Sequence, residues 1–140
     1  MAKTYRKRVT SSYDQLAGVS DFVGQVCSDL KLDEWSTYAV RMAVDEACTN
    51  VIKYAYDERA DGTILLFCCQ KNDELVVTIR DHGRAFDPQA VPPPDLTGEL
   101  LSRKEGGLGM FLMRQLMDRV SYRFHRTKGN VLTMTKRLRR

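Results

Sequence analysis

Between Val40 and Val51 the residues Val40, Ala43, Val44, Ala47, Cys48 and Val51 recur at the i, i+3, i+4, i+7 spacing of a helix face. The pattern predicts a helix beginning near Glu34, with an apolar stripe that has to be buried. Glu46 and Asn50 stand beside that stripe, four residues apart and so on a shared face. They lie where the helix borders the core, a position suited to a pocket wall. Chemically the pair combines a carboxylate able to take a proton with a neutral amide oxygen able to bind a hard cation.

The flanking segments set the rest of the expected fold. Lys3 to Val9 reads as an edge strand, and Ser11-Ser12 offer helix caps. Val19, Phe22, Val23, Val26, Cys27 and Leu30 make residues 13–30 an amphipathic helix, and Lys31-Leu32-Asp33 breaks it. Thr63–Gln70 and Leu75–Arg80, joined by Lys71-Asn72-Asp73-Glu74, read as an antiparallel hairpin. A last hairpin pairs Val120–His125 with Val131–Lys136 around Lys128-Gly129-Asn130. Between the hairpins, Pro88–Lys104 holds Pro92-Pro93-Pro94 and Gly98 but few large apolar residues. A patternless stretch of that length has the character of a functional lid. Gly106-Gly107-Leu108-Gly109 then opens a helix carrying Leu108, Phe111, Leu112, Gln115 and Leu116 at helical spacing. The order predicts a single α+β domain over residues 1–140, with helices on one face of a mixed or antiparallel sheet. No internal repeat interrupts it.

Composition narrows the function classes. A chain of 140 residues with 43% apolar content can bury a proper core. It holds no apolar run near the roughly 20 residues of a membrane span, and the basic N-terminus lacks a signal-peptide core, so a cytoplasmic protein is expected. Cys27, Cys48, Cys68 and Cys69 form no CxxC pair and sit in apolar runs, as free thiols do in a reducing compartment. His82 and His125 lack ligand-spaced partners, which argues against zinc. The net charge of +4 collects at the two ends, without the aromatic interleaving of an RNA-binding sheet.

Two further segments carry chemistry. The turn Gly106-Gly107-Leu108-Gly109 at a helix start can hold phosphate through free N–H groups and the positive end of the helix dipole. It is not a P-loop, because the Lys-Ser/Thr pair is missing. In Asp81-His82-Gly83-Arg84-Ala85-Phe86-Asp87-Pro88, Asp81 follows a strand directly. A carboxylate there can accept a hydrogen bond from an amine such as that of adenine, with Gly83 leaving room for the ring.

Taken in order, Glu-Ala-x-x-Asn, Asp-x-Gly-x-x-Phe-Asp-Pro and Gly-Gly-x-Gly resemble the motifs of the Bergerat-fold (GHKL) ATPases, over nearly the whole chain. Within that superfamily the sequence is most similar to the anti-sigma factor serine/threonine kinases. Glu105–Met113, Leu116-Met117-Asp118 and Leu132–Leu138 carry that likeness. The resemblance implies an α+β two-layer sandwich, ATP and Mg2+ as cofactors, and a lid at about 88–105. Glu46 would be the general base and Asn50 the magnesium ligand. Asp81 would bond the adenine amine and Gly83 line the base pocket. Gly106, Gly107, Leu108, Gly109 and Met110 would form the phosphate turn, with Gly107 and Gly109 as the cradle. Arg103 or Lys104 would reach the γ-phosphate. Two positions depart from the pattern. Ala85 replaces the usual second glycine. Asn130 stands where a threonine commonly follows the last glycine, which leaves the second adenine contact open between Asn130 and Thr133. The implied partners are an anti-sigma-factor antagonist, whose serine is phosphorylated, and a sigma factor, with a homodimer as the assembly. Neither membrane nor direct nucleic-acid binding is expected. The alternative is a non-catalytic ATP-binding module that switches partners, and Glu46 speaks against it.

Overall fold

The computed structural model of the protein describes residues 3–86 and 113–138. In chain order the elements are β1 (Thr4–Thr10), α1 (Leu16–Asp29), α2 (Glu34–Asn50), β2 (Thr63–Lys71) and β3 (Glu74–Asp81), then β4 (Arg119–His125) and β5 (Gly129–Arg137). A 3-10 turn, Tyr13–Gln15, leads into α1, and Val51–Ala55 continues α2 as a wider π-helical turn. The expected lid and the glycine turn lie outside the described residues. Of the helix expected after that turn, residues 113–116 are helical. Its buried residues are Met113 and Met117, whereas Gln115 is exposed and Leu116 only half-buried. Among the described residues here, the two methionines face inward rather than Gln115 or Leu116.

The five strands form one sheet in the order β1-β2-β3-β5-β4, with every neighbouring pair antiparallel. Of the two sheet types expected, the antiparallel one is present. Side chains alternate across it. Val9, Ile64, Leu66, Cys68, Val77, Ile79, Leu132 and Met134 face the helices and join one core with Val19, Val23, Val26, Val40, Val44 and Cys48. The other face carries Leu65, Phe67, Cys69, Val131 and Thr133, with Arg6 and Arg80 over the Phe67 ring at 6.0 and 5.6 Å. Each fully buried aliphatic side chain contributes about 1.5–3 kcal/mol, so this single layer of contacts is what holds helices to sheet.

Helix ends follow local chemistry. Asp33 caps α2, its Oδ1 accepting from Ser36 N at 2.7 Å. The serines before α1 act otherwise. Ser12 occupies the cap position of the 3-10 turn without a side-chain hydrogen bond. Ser11 is buried instead and joins β1 to the loop before β2: its Oγ donates to Arg59 O at 2.5 Å and accepts from Gly62 N at 2.9 Å.

The thiols are free. Burial pushes Cys27 up to about 11, and Cys48 and Cys68 each to about 12. Cys69, on the open sheet face, is the only one of the four that is not buried. A disulfide-exchange reagent at neutral pH should therefore label Cys69 alone in the native protein and the other three only on unfolding. Cys69→Ser should remove the native signal. Rapid labelling of a second thiol would contradict the packing.

Candidate functional site

The site forms where the C-terminal end of α2 meets the end of β3 and the start of β5. Gly83 makes this approach possible. A Cβ built there would strike Ala55 O and lie 2.6 Å from Ala55 C. Next along the chain, Arg84 N donates to Ala55 O at 2.7 Å, and Arg84 Nη2 to Tyr54 O at 3.2 Å. The π-helical turn ends at Ala55, so its last carbonyls are satisfied by the segment that follows β3. The glycine expected to make room for a ring is thus already required for backbone packing.

Asp81 is the centre of a buried hydrogen-bond network. It is 3% exposed and pairs across the sheet with Asn130, itself 2% exposed. Asp81 Oδ1 accepts from Asn130 Nδ2 at 2.7 Å and from Gly83 N at 2.9 Å. Asn130 Nδ2 also lies within reach of Arg84 O at 3.1 Å and Gly83 O at 3.3 Å. Tyr122 OH donates to Asn130 Oδ1 at 2.5 Å and accepts from Phe86 N at 3.1 Å. Burial pushes the Asp81 carboxyl above the usual carboxylate range, and the bonds from Asn130 and Gly83 pull against that rise. Gly129, at φ +77°, begins β5 against this group. A Cβ there would meet Asp81 O and come within 2.8 Å of His82 Nδ1.

Asn50, 1% exposed, opens onto the same interior as Asp81. The two line a small cavity together with Phe86, Met113, Tyr122 and Asn130. Its volume is about 10 Å3, room for one water. Tyr54, Phe86 and Tyr122 stack as a tilted aromatic series over it, with ring centroids 5.5 and 6.3 Å apart. Glu46 lies one turn before Asn50 on α2 and is half-buried. Asp45 beside it is also half-buried, and burial raises its carboxyl. Among the described residues no group of three or more His, Cys, Asp or Glu side chains could hold a metal.

Of the residues singled out in the sequence, the fold brings together Asn50, Asp81, Gly83 and Asn130, and Glu46 stands one turn before Asn50 on α2. Thr133 lies elsewhere. Asn130, Leu132 and Met134 point to the helices, so Thr133 falls on the open face, opposite Thr78 and Ser121. Arg103, Lys104, Gly106, Gly107, Leu108, Gly109 and Met110 lie outside the described residues. Sequence reasoning missed Tyr122 and Phe86. The alternation of Val120 and Tyr122 with Ser121 and Arg123 marks Tyr122 as inward-facing, but its bond to Asn130 depends on β4–β5 register.

Comparison with known proteins places the chain in a family. A family model described as a histidine kinase-like ATPase domain matches residues 9–136. The chain belongs to this family. Within the family it is similar to serine-protein kinases named RsbW. It is 36% identical over 129 residues to that of Halalkalibacterium halodurans, covering 89% of this chain and 73% of the relative. With the Bacillus subtilis kinase it shares 35% over 129 residues, covering 88% and 74%. A crystal structure of the RsbU and RsbW domains of a Mycobacterium tuberculosis protein matches in fold, with a TM-score of 0.70 at 16% identity. That match spans 99% of this chain and 33% of the longer one. Among the described residues no helix is long and apolar enough to cross a membrane.

Asp81→Asn tests the electrostatics of the site. The folded carboxyl titrates above its ordinary value of 3.8, so keeping it ionised opposes folding at neutral pH. The wild-type chain regains that stability as pH falls through the raised value towards 3.8. The substituted amide can still accept from Gly83 and Asn130 through its oxygen. Urea unfolding at pH 7 should show Asp81→Asn at least as stable as the wild type, with the difference shrinking on acidification. A difference that grew as pH fell would reverse the assignment.

Proposed function

We propose that this chain is an ATP-dependent serine/threonine protein kinase that phosphorylates an anti-sigma-factor antagonist and sequesters a sigma factor. The observation that carries the reading is the meeting of Asn50 and Asp81 on one interior at the end of α2, with Glu46 one helical turn before Asn50, in a member of the histidine kinase-like ATPase family. The kinase names of its relatives support it.

The residues present fit Mg-ATP. Asp81 uses Oδ1 for Gly83 and Asn130, which leaves Oδ2 as an acceptor for the 6-amino group of adenine. Guanine would oppose that oxygen with its own acceptor. Asn130 holds Asp81 and, unlike Thr133, stands on the helix-facing side of the sheet, where the nucleotide would lie. The cavity is too small for a base as it stands, so adenine would have to displace Phe86 or Met113. Asn50 would hold Mg2+ through its amide oxygen, and the bound ion would neutralise charge on the phosphates. Arg103 or Lys104, in a lid at about 88–105, would meet the γ-phosphate. The turn Gly106–Met110, with Gly107 and Gly109 closest, would cradle the others through backbone N–H groups.

The chemistry at Glu46 is proton acceptance. The serine oxygen of the partner attacks the γ-phosphorus, the bond to the β–γ bridging oxygen breaks, and the serine proton passes to the Glu46 carboxylate. ADP and phosphoserine result. Positioning and charge compensation supply most of the acceleration in such a transfer. A partner-switching module without transfer would have no use for a carboxylate at 46. The chain would act in the cytoplasm as a homodimer.

Glu46→Gln separates catalysis from binding. With labelled ATP, magnesium and antagonist proteins, transfer to serine should fall by a factor on the order of 10² or more. ATP affinity by calorimetry should stay near that of the wild type. Transfer at the normal rate would remove Glu46 as the base. The unmodified chain should also prefer ATP over GTP by roughly tenfold to a hundredfold. Equal affinities would remove Asp81 from the adenine role.

A further inference from the structure

The outward face of α2 carries a second stripe that runs from two exposed aromatic residues towards Glu46. Trp35 is 60% exposed and Tyr38 is 52% exposed, large values for aromatic side chains. Their rings stack with centroids 5.7 Å apart. Met42, Asp45, Glu46 and Thr49 follow along the helix, all half-buried. Eleven residues make just over three full turns, so Trp35 and Glu46 fall on nearly the same line, about 16 Å apart along the axis. Met42 lies between them. Beside the stripe, Tyr38, Arg41, Met42 and Asp45 form one wall of an open groove between α1 and α2. Arg41 Nε is held in it by Ser20 Oγ at 3.0 Å.

We propose that Trp35 and Tyr38 are the docking anchor for the phosphoacceptor protein. The inference rests on the kinase reading and names the surface through which that reaction recognises its substrate. Three observations favour this occupant. The stripe is continuous with the turn that carries Glu46, so a protein seated on it reaches the base without crossing another element. Trp, Tyr and Arg, the residue types that dominate binding energy at interfaces, are the ones displayed here. The stacked pair already holds its rings in place, which lowers the ordering cost of binding. The groove alongside offers Arg41, Glu34 and Asp45 to polar groups of the partner. Docking and chemistry are then separate contributions. The anchor sets how tightly the partner protein binds, and Glu46 sets how fast its serine reacts.

The chain holds a single tryptophan, so Trp35 reports on its own surroundings. The probe is an antagonist protein that the unmodified chain phosphorylates, in a version without tryptophan. Its addition should shift Trp35 emission to shorter wavelength. In steady-state transfer, the double variant Trp35→Ala/Tyr38→Ala should raise KM for the antagonist at least tenfold. kcat should stay within about twofold and Mg-ATP affinity should be unchanged. Trp35→Phe should restore most of the loss, which a merely structural role would not predict so specifically. Normal KM in the double variant with an unshifted emission, while transfer proceeds, would overturn the anchor and leave the kinase reading intact. A double variant that sediments as a smaller species than the wild type would assign the stripe to a second copy of the chain instead. Absence of transfer by the unmodified protein, with ATP bound, would refute the kinase reading and the anchor with it.

Discussion

The site depends on how closely the end of α2 can approach the turn after β3. Ala55 O receives the Arg84 N–H at 2.7 Å, and the adjoining residue has no room for a Cβ. That contact brings the turn after Asp81 against the end of the helix that carries Glu46 and Asn50. Any larger residue at 83 would push the helix end and the strand end apart, and the two halves of the site with them. The π-helical turn serves the same end: its wider winding delivers Ala55 O to the Asp81–Arg84 segment.

Around that contact the buried polar groups satisfy one another. Asp81 alone would be costly to bury. Its hydrogen bonds from Gly83 and Asn130, and the bond from Tyr122 to Asn130, spread one carboxylate over β3, β4, β5 and the turn between. The cost of holding an acid in the core is visible in its raised titration. Both bonds fall on Oδ1, and the proposed adenine contact is with Oδ2. Structure and proposed function are therefore linked through the same atoms.

The outward face of α2 completes the division of labour. Its inward stripe fixes the fold, and its outer stripe displays Trp35 and Tyr38 on nearly the same line as Glu46. The period of about 3.6 residues separates the buried stripe from the outer one by angle.

The sequence by itself determined the elements and the chemical character of the site. Period-3.6 and period-2 patterns reflect burial of local segments, so the start of α2 and the strands of both hairpins were legible within a residue or two, whereas α1 starts three residues later than expected, after a 3-10 turn. Glu46, Asn50 and Asp81 were picked out by residue type and local spacing, and the fold brings Asn50 and Asp81 onto one cavity. Tertiary structure decided the rest, because those contacts join residues far apart in the chain. Asn130 was separated from Thr133 only when β5 paired with β3, which put Asn130 against Asp81, 49 residues away. Ser11, read as a cap, bonds Arg59 across 48 residues instead. Tyr122 reaches Phe86 across 36, and Gly83 owes its identity to Ala55. Local periodicity says which side of an element is buried. Which group meets which inside the core is set by strand register and close packing, which no single segment encodes.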